Sequence, residues 1–291
     1  MSKAFREESI KIGDMHFAVK IWGDPDGIPV MALHGWLDNA ASFDVIAPML
    51  TGCCVVAVDL SGQGYTSHRP YNSSYLIWSD LPELLQIADH LGWDTFNLIG
   101  HSRGGMIATL FAIASPMRIK RLVTLDTLMP MASPTNDATN NLREYMKNDR
   151  HFLKRQREGV KQRPFASLDL AIAARQKLMP IEDASARLIL ERGTCKVDDG
   201  YVWRHDERLK GRSAVKLTAA QNKVLYADLE ADTLFIVAKE SMGRMPGIAE
   251  FVATNEKVTM VPIDGNHHFH MEEPAPEVAM TIVNFLSDSA E

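Results

Sequence analysis

Gly100-His101-Ser102-Arg103-Gly104 fits the pattern G-x-S-x-G, and its flanks decide what the pattern means. FNLIG, residues 96–100, reads as a buried strand, and Gly104-Gly105-Met106 opens a helical stretch, so Ser102 falls on a tight strand-to-helix turn. Such a turn holds the serine in a strained backbone conformation with its hydroxyl exposed, and the glycines avoid side-chain collisions. The plain alternative is a Gly-rich connection with no chemistry.

A serine hydroxyl is a weak nucleophile and needs a base, and histidine is the side chain that takes and returns a proton near neutrality. Of ten histidines, His267 in Asp264-Gly265-Asn266-His267-His268-Phe269-His270 follows the last expected strand and precedes the C-terminal helical stretch. That position brings it to the carboxyl edge of a sheet, beside Ser102, in the chain order serine, acid, histidine. A metal held by His267, His268 and His270 is the competing reading, but the spacings of helical or zinc-finger sites are missing and no cysteine is near, so no metal is expected.

The acid that orients the imidazole has two candidates at strand ends. Asp126 closes RLVTLD, residues 121–126, and Glu240 lies just past TLFIVA. Position favours Asp126, with Glu240 as the alternative acid. A helix cap or loop anchor for the first, and a solvated charge for the second, are the plain readings. For the oxyanion, the backbone N–H of Arg103 follows the nucleophile, and His34-Gly35-Trp36 after the IPVMAL strand offers the Trp36 N–H as a second donor. His34 and His101 read as structural hydrogen-bonders within these turns.

These residues need a sheet to bring them together. IPVMALHG (28–35), CCVVAVDL (53–60), FNLIG, RLVTLD, TLFIVAKE (233–240) and KVTMVPID (257–264) read as strands. ASFDVIAPML, SDLPELLQIADHL and GGMIATLFAIAS read as helix-compatible stretches between them, the pattern of a mostly parallel sheet covered by helices. Residues 128–226 break that pattern: NNLREYMKNDRHFLKRQ, LDLAIAARQKLM and DASARLILERG are amphipathic helices with no strand of comparable quality. The chain therefore divides into a core, 1–127 and 227–291, and an inserted helical segment, 128–226. Met129, Met131 and Met179 of that segment offer an adaptable apolar wall, or simply its own core.

With 46% hydrophobic residues in 291, a sizeable core is available and disorder is excluded. The net charge is −6, yet residues 128–226 carry 19 basic against 12 acidic side chains. Those charges are spread at helical spacing among acids and apolar residues, so a solvated helical surface is expected and nucleic acid is not. No membrane span and no signal peptide are apparent, and Cys53, Cys54 and Cys195 do not make a disulfide framework. A soluble, cytoplasmic protein is expected.

HGWLDNAASF, DLSGQGYTS, GHSRGG and GNHHFHMEEP together resemble the α/β-hydrolase superfamily. With TLDTL and LERGTCKVDDGYVWRHDERL they look most like the serine hydrolase-like proteins, over most of the chain. The resemblance implies an α/β-hydrolase fold, with an eight-stranded, mostly parallel sheet, helices on both faces and a helical cap over the active site. It carries the nucleophile onto Ser102, the base onto His267 and the oxyanion amides onto Trp36 and Arg103. The chain departs from the superfamily where many members have an aspartate two positions beyond Glu240, because Met242 stands there; this again points to Asp126. A serine at the elbow argues against dehalogenase and epoxide hydrolase chemistry, which in similar folds uses an aspartate. The expectation is a cofactor-independent, carboxylesterase-like serine hydrolase of a small-molecule acyl substrate. A ligand-binding or sensing protein, or a thioester, lactone or C–C bond hydrolase, is the alternative.

Overall fold

A computed structural model describes residues 5–242, 245 and 247–287. Eight strands form the main sheet: β1 (Arg6–Ile12), β2 (Met15–Trp22), β3 (Ile28–Leu33), β4 (Cys53–Val58), β5 (Phe96–His101), β6 (Ile119–Leu125), β9 (Asp232–Ala238) and β10 (Val258–Ile263). Their spatial order is β1-β2-β4-β3-β5-β6-β9-β10. The six strands from β4 to β10 run parallel, while β1 and β2 form an antiparallel hairpin whose second strand pairs antiparallel with β4.

The parallel strands are continuous apolar runs because both faces of the sheet are covered. Along β3, Met31 and Leu33 join one core with Leu98, Ile107, Phe111 and Phe235, whereas Val30 and Ala32 join the other with Ile99, Ile236, Phe269 and Ile282. The first core is covered by α1 (Leu81–His90) and α2 (Arg103–Ala114), with α8 (Ile248–Val252) at its edge, the second by α9 (Ala275–Ser287). Close approach of α2 to the sheet depends on Gly104, where a Cβ would lie 2.0 Å from the Leu33 carbonyl oxygen.

Two expectations are corrected here. ASFDVIAPML, expected to be helix-compatible, makes two short 3-10 turns, Ala40–Phe43 and Ala47–Met49. The Asn39 side chain caps the first, and Pro48, which has no N–H to donate to a preceding turn, prevents an α-helix from running through the second. The inserted segment has α3 (Ala138–Arg157), α4 (Leu168–Leu178), α5 (Asp183–Gly193) and α6 (Ala219–Ala227), but also an antiparallel hairpin, β7 (Thr194–Val197) and β8 (Gly200–Trp203). Gly200 starts the returning strand at φ +135, where a Cβ would collide with the Phe165 carbonyl oxygen.

Candidate active site

Because β3, β5, β6, β9 and β10 lie side by side and parallel, the loops after them open at one edge of the sheet. In register, His101 pairs with Leu125, so Ser102 and Asp126 leave neighbouring strands at the same level. Ser102 has φ 52 and ψ −118, a region that side chains rarely occupy. Its N–H donates to the Leu125 carbonyl, and its own carbonyl accepts from Gly105 and Met106 at the start of α2.

Asp126 is also in the positive-φ region, at 61. It is held by β9 and the short helix α7 (Lys239–Met242): its N–H donates to Ile236, Oδ1 accepts from the Ala238 N–H at 2.9 Å, and Oδ2 accepts from the Ser241 hydroxyl at 2.6 Å. The same Oδ2 lies 2.5 Å from His267 Nδ1. An ionised carboxylate only accepts, so this contact fixes the proton on Nδ1 and leaves Nε2 as the free lone pair. Glu240 stands exposed in the first turn of α7; it lines the same cavity, of about 240 Å³, as Asp126, Met179 and His267, but among the described residues the carboxylate bonded to the imidazole is Asp126.

Arg103 opens α2, where the first N–H groups of a helix have no acceptor within it. Its guanidinium donates to Asp80 Oδ2 at 2.9 Å, and Asp80 is held in turn by Ser61 and Arg69. The His34-Gly35 turn packs against that helix start, since a Cβ on Gly104 would also reach the His34 carbonyl oxygen. Trp36 is 39% exposed, with its indole N–H donating to the Leu209 carbonyl of the inserted segment. Among the described residues, Leu37 beside it is the third non-glycine residue at positive φ, and its N–H donates to Gln63 Oε1. His34 accepts from the Leu60 N–H at Nε2 and faces the Gly35 carbonyl with Nδ1, which sets its tautomer; burial pushes its pKa down. Of the expected methionine wall, Met179 lines the cavity, Met129 packs against the main core and Met131 is largely exposed.

Sequence reading missed a buried group behind His267. Asp38 Oδ1 accepts from Arg175 of α4 at 2.7 Å, while Oδ2 faces His268 Nε2 at 3.4 Å and His101 Nδ1 at 3.9 Å. Burial alone would raise the Asp38 carboxyl, but Arg175 and His268 outweigh it and hold it well below the usual range. His101 is pushed well below its ordinary value by burial and by the surrounding histidines, so it is neutral; its Nε2 then donates to the His267 carbonyl at 2.8 Å. The polar atoms of Asp38, His101 and His268 spread over as much as 4.8 Å, wider than the roughly 3.4 Å between ligands of a tetrahedral zinc, and the carboxylate already carries Arg175. The arrangement suits an ion-pair hub better than a metal centre.

The parallel sheet, the strained serine after β5 and the histidine after β10 define an α/β-hydrolase fold. The chain belongs to the alpha/beta hydrolase fold family, whose sequence profile matches residues 28–174. It is 30% identical to serine hydrolase-like protein 2 of Homo sapiens over 93% of this chain and 90% of that one. With the serine hydrolase-like protein of Danio rerio the identity is 29%, over 92% and 84% respectively. A crystal structure of a hypothetical protein from Pseudomonas aeruginosa PAO1 superimposes with a TM-score of 0.90 at 34% identity, covering 97% of this chain and 99% of that one. Family and fold support a hydrolase. Among the described residues, no helix is long and apolar enough to cross a membrane.

Proposed function

We propose that the protein is a serine hydrolase of carboxylic esters or related acyl compounds. The observation that carries this reading is the bond from His267 Nδ1 to Asp126 at the strand end beside Ser102, because it leaves Nε2 unprotonated and able to act as a base. In the reaction, Ser102 Oγ attacks the substrate carbonyl while its proton passes to His267 Nε2. The N–H groups of Arg103 and Trp36 stabilise the oxyanion. His267 then returns the proton to the departing alcohol, leaving an acyl group on Ser102. Water, deprotonated by His267, attacks that acyl-enzyme and releases the acid and free Ser102.

Asp126 orients the imidazole and stabilises its charged form; Glu240 is not needed for this step. Residues 128–226 act as a cap, and the small-molecule substrate binds between cap and sheet edge. The core comprises 1–127 and 227–291. The chemistry needs no cofactor. The free thiols of Cys53, Cys54 and Cys195 support a cytoplasmic setting.

The test is release of p-nitrophenol from short and medium acyl esters, with intact-mass detection of a fluorophosphonate adduct, in wild type and Ser102→Ala. Turnover and labelling, both lost in the mutant, are expected. A wild type that labels but barely turns over favours a ligand-sensing protein of the same fold; absence of both removes Ser102 as an activated nucleophile.

A further inference from the structure

We propose that Asp38 is a positioning residue: through its pair with Arg175 it locks helices α4 and α5 and the His267 loop into one rigid unit. The inference rests on the reading of His267 as the base. Arg175 is 4% exposed and Asp38 3%, so the pair is desolvated and each charge depends on the other. Asp38 Oδ2 faces Nε2 of His268, the residue after the base, and His101, packed against the rings of His267 and His268, donates to the carbonyl of His267. A cap helix is thereby connected, from Arg175 through Asp38, to the residue that follows the base.

Independent contacts tie the same two parts. Glu272 Oε1 accepts from the Glu182 N–H at the start of α5, while Oε2 accepts from Asn266, whose Oδ1 accepts from the His268 N–H. The Ser185 hydroxyl donates to the Met271 carbonyl, and the Met271 side chain is buried among Ile172, Ile181, Ile189 and Leu190. By contrast, α3 has one buried residue in twenty, Asn141, which donates to Ser133, and otherwise reaches its neighbours through exposed or half-buried contacts such as Tyr145 to Ser74. The inserted segment is therefore mechanically uneven: α4 and α5 belong to the catalytic loop, and α3 is the part free to yield to substrate.

Asp38→Asn is compared with Arg187→Ala, which breaks an exposed ion pair between α5 and Asp169 of α4, remote from the His267 loop. Asp38→Asn should lower kcat and the fluorophosphonate labelling rate by roughly tenfold to a hundredfold with KM nearly unchanged, as expected for a misplaced base. It should also move the His267 imidazole signals in the NMR spectrum of histidine-labelled protein, and Arg187→Ala should do neither. A folded Asp38→Asn with wild-type labelling and unmoved His267 signals overturns the proposal. If wild type shows no hydrolase activity, the serine hydrolase reading fails, yet the imidazole signals still decide the coupling. Should Asp38→Asn not fold, Arg175→Met takes its place. If neither folds, hydrogen exchange of the wild type decides: amides of α4 and of 264–272 should open together and less often than α3, and separate opening overturns the proposal.

Discussion

Ser241 and His267 meet on one oxygen of Asp126: the hydroxyl donates to Oδ2 from 2.6 Å and the imidazole Nδ1 from 2.5 Å. The two donors follow the next two strands beyond β6 in the sheet, Ser241 in α7 after β9 and His267 in the loop after β10, so the carboxylate is gripped from the side away from β5. Replacing Asp126 by Asn puts an amide where only an acceptor serves and favours the wrong imidazole tautomer; kcat should fall by about 10³- to 10⁴-fold. Ser241→Ala removes one bond to a charged group and should cost about tenfold. Glu240→Gln should leave ester turnover within about twofold, because it alters a solvated charge. Steady-state kinetics on one p-nitrophenyl ester ranks the three.

The strain at Ser102 can be measured. A residue held at φ 52 and ψ −118 costs on the order of 1–3 kcal/mol, which glycine does not incur. Ser102→Gly should be inactive and more stable than wild type by roughly that amount in urea unfolding. A lower midpoint than wild type would show that the elbow is relaxed.

Buried histidines make the fold acid-sensitive. Burial, with the charges of Lys210 and His68, pushes His205 down to about 3, and burial also pushes His34, His101 and His270 below their ordinary values. In the unfolded chain these groups bind protons below about pH 6.5, so the unfolded state takes up more protons than the folded one. Stability should be full above that pH and decline as pH falls towards 3. For His205 alone the loss between pH 6.5 and 5 is about 2 kcal/mol. Denaturation midpoints of wild type and His205→Gln across this range check the sign, and the variant should show the shallower slope.

A second buried arginine pins the inserted segment to the sheet. Arg192 of α5 bonds both oxygens of Asp59, which is wholly buried after β4, and Glu7 of β1. Arg192→Met leaves the Asp59 charge uncompensated and should cost about 3–5 kcal/mol in urea unfolding at pH 7. Arg187→Ala, on the exposed face of the same helix, should give no measurable change.

Much of this was readable before folding. The elbow announces itself because glycine spacing, an apolar strand and a helix start coincide within ten residues, and His267 follows from chain order along a parallel sheet. The choice of Asp126 over Glu240 rests on strand neighbours: β6 lies between β5 and β9, which brings Asp126 beside both Ser102 and Ser241. Asp38 and Arg175 are 137 residues apart and meet only when α4 folds back, so no local pattern reports them. The β7–β8 hairpin escaped notice because its strands are four residues long and mostly half-buried, too short for a clear alternation.

The strands that bracket the inserted segment, β6 and β9, are immediate neighbours, with Arg121 opposite Asp232. About a hundred residues thus leave and rejoin the sheet at adjacent points, so the whole excursion is topologically one long loop on an otherwise closed scaffold. Evolution can rewrite such a loop without rethreading a strand, and a protein engineer can graft a relative's version by joining two nearby ends. The exchange has one condition: a donor segment must bring counterparts of Arg175 and Arg192, or Asp38 and Asp59 must be neutralised with it.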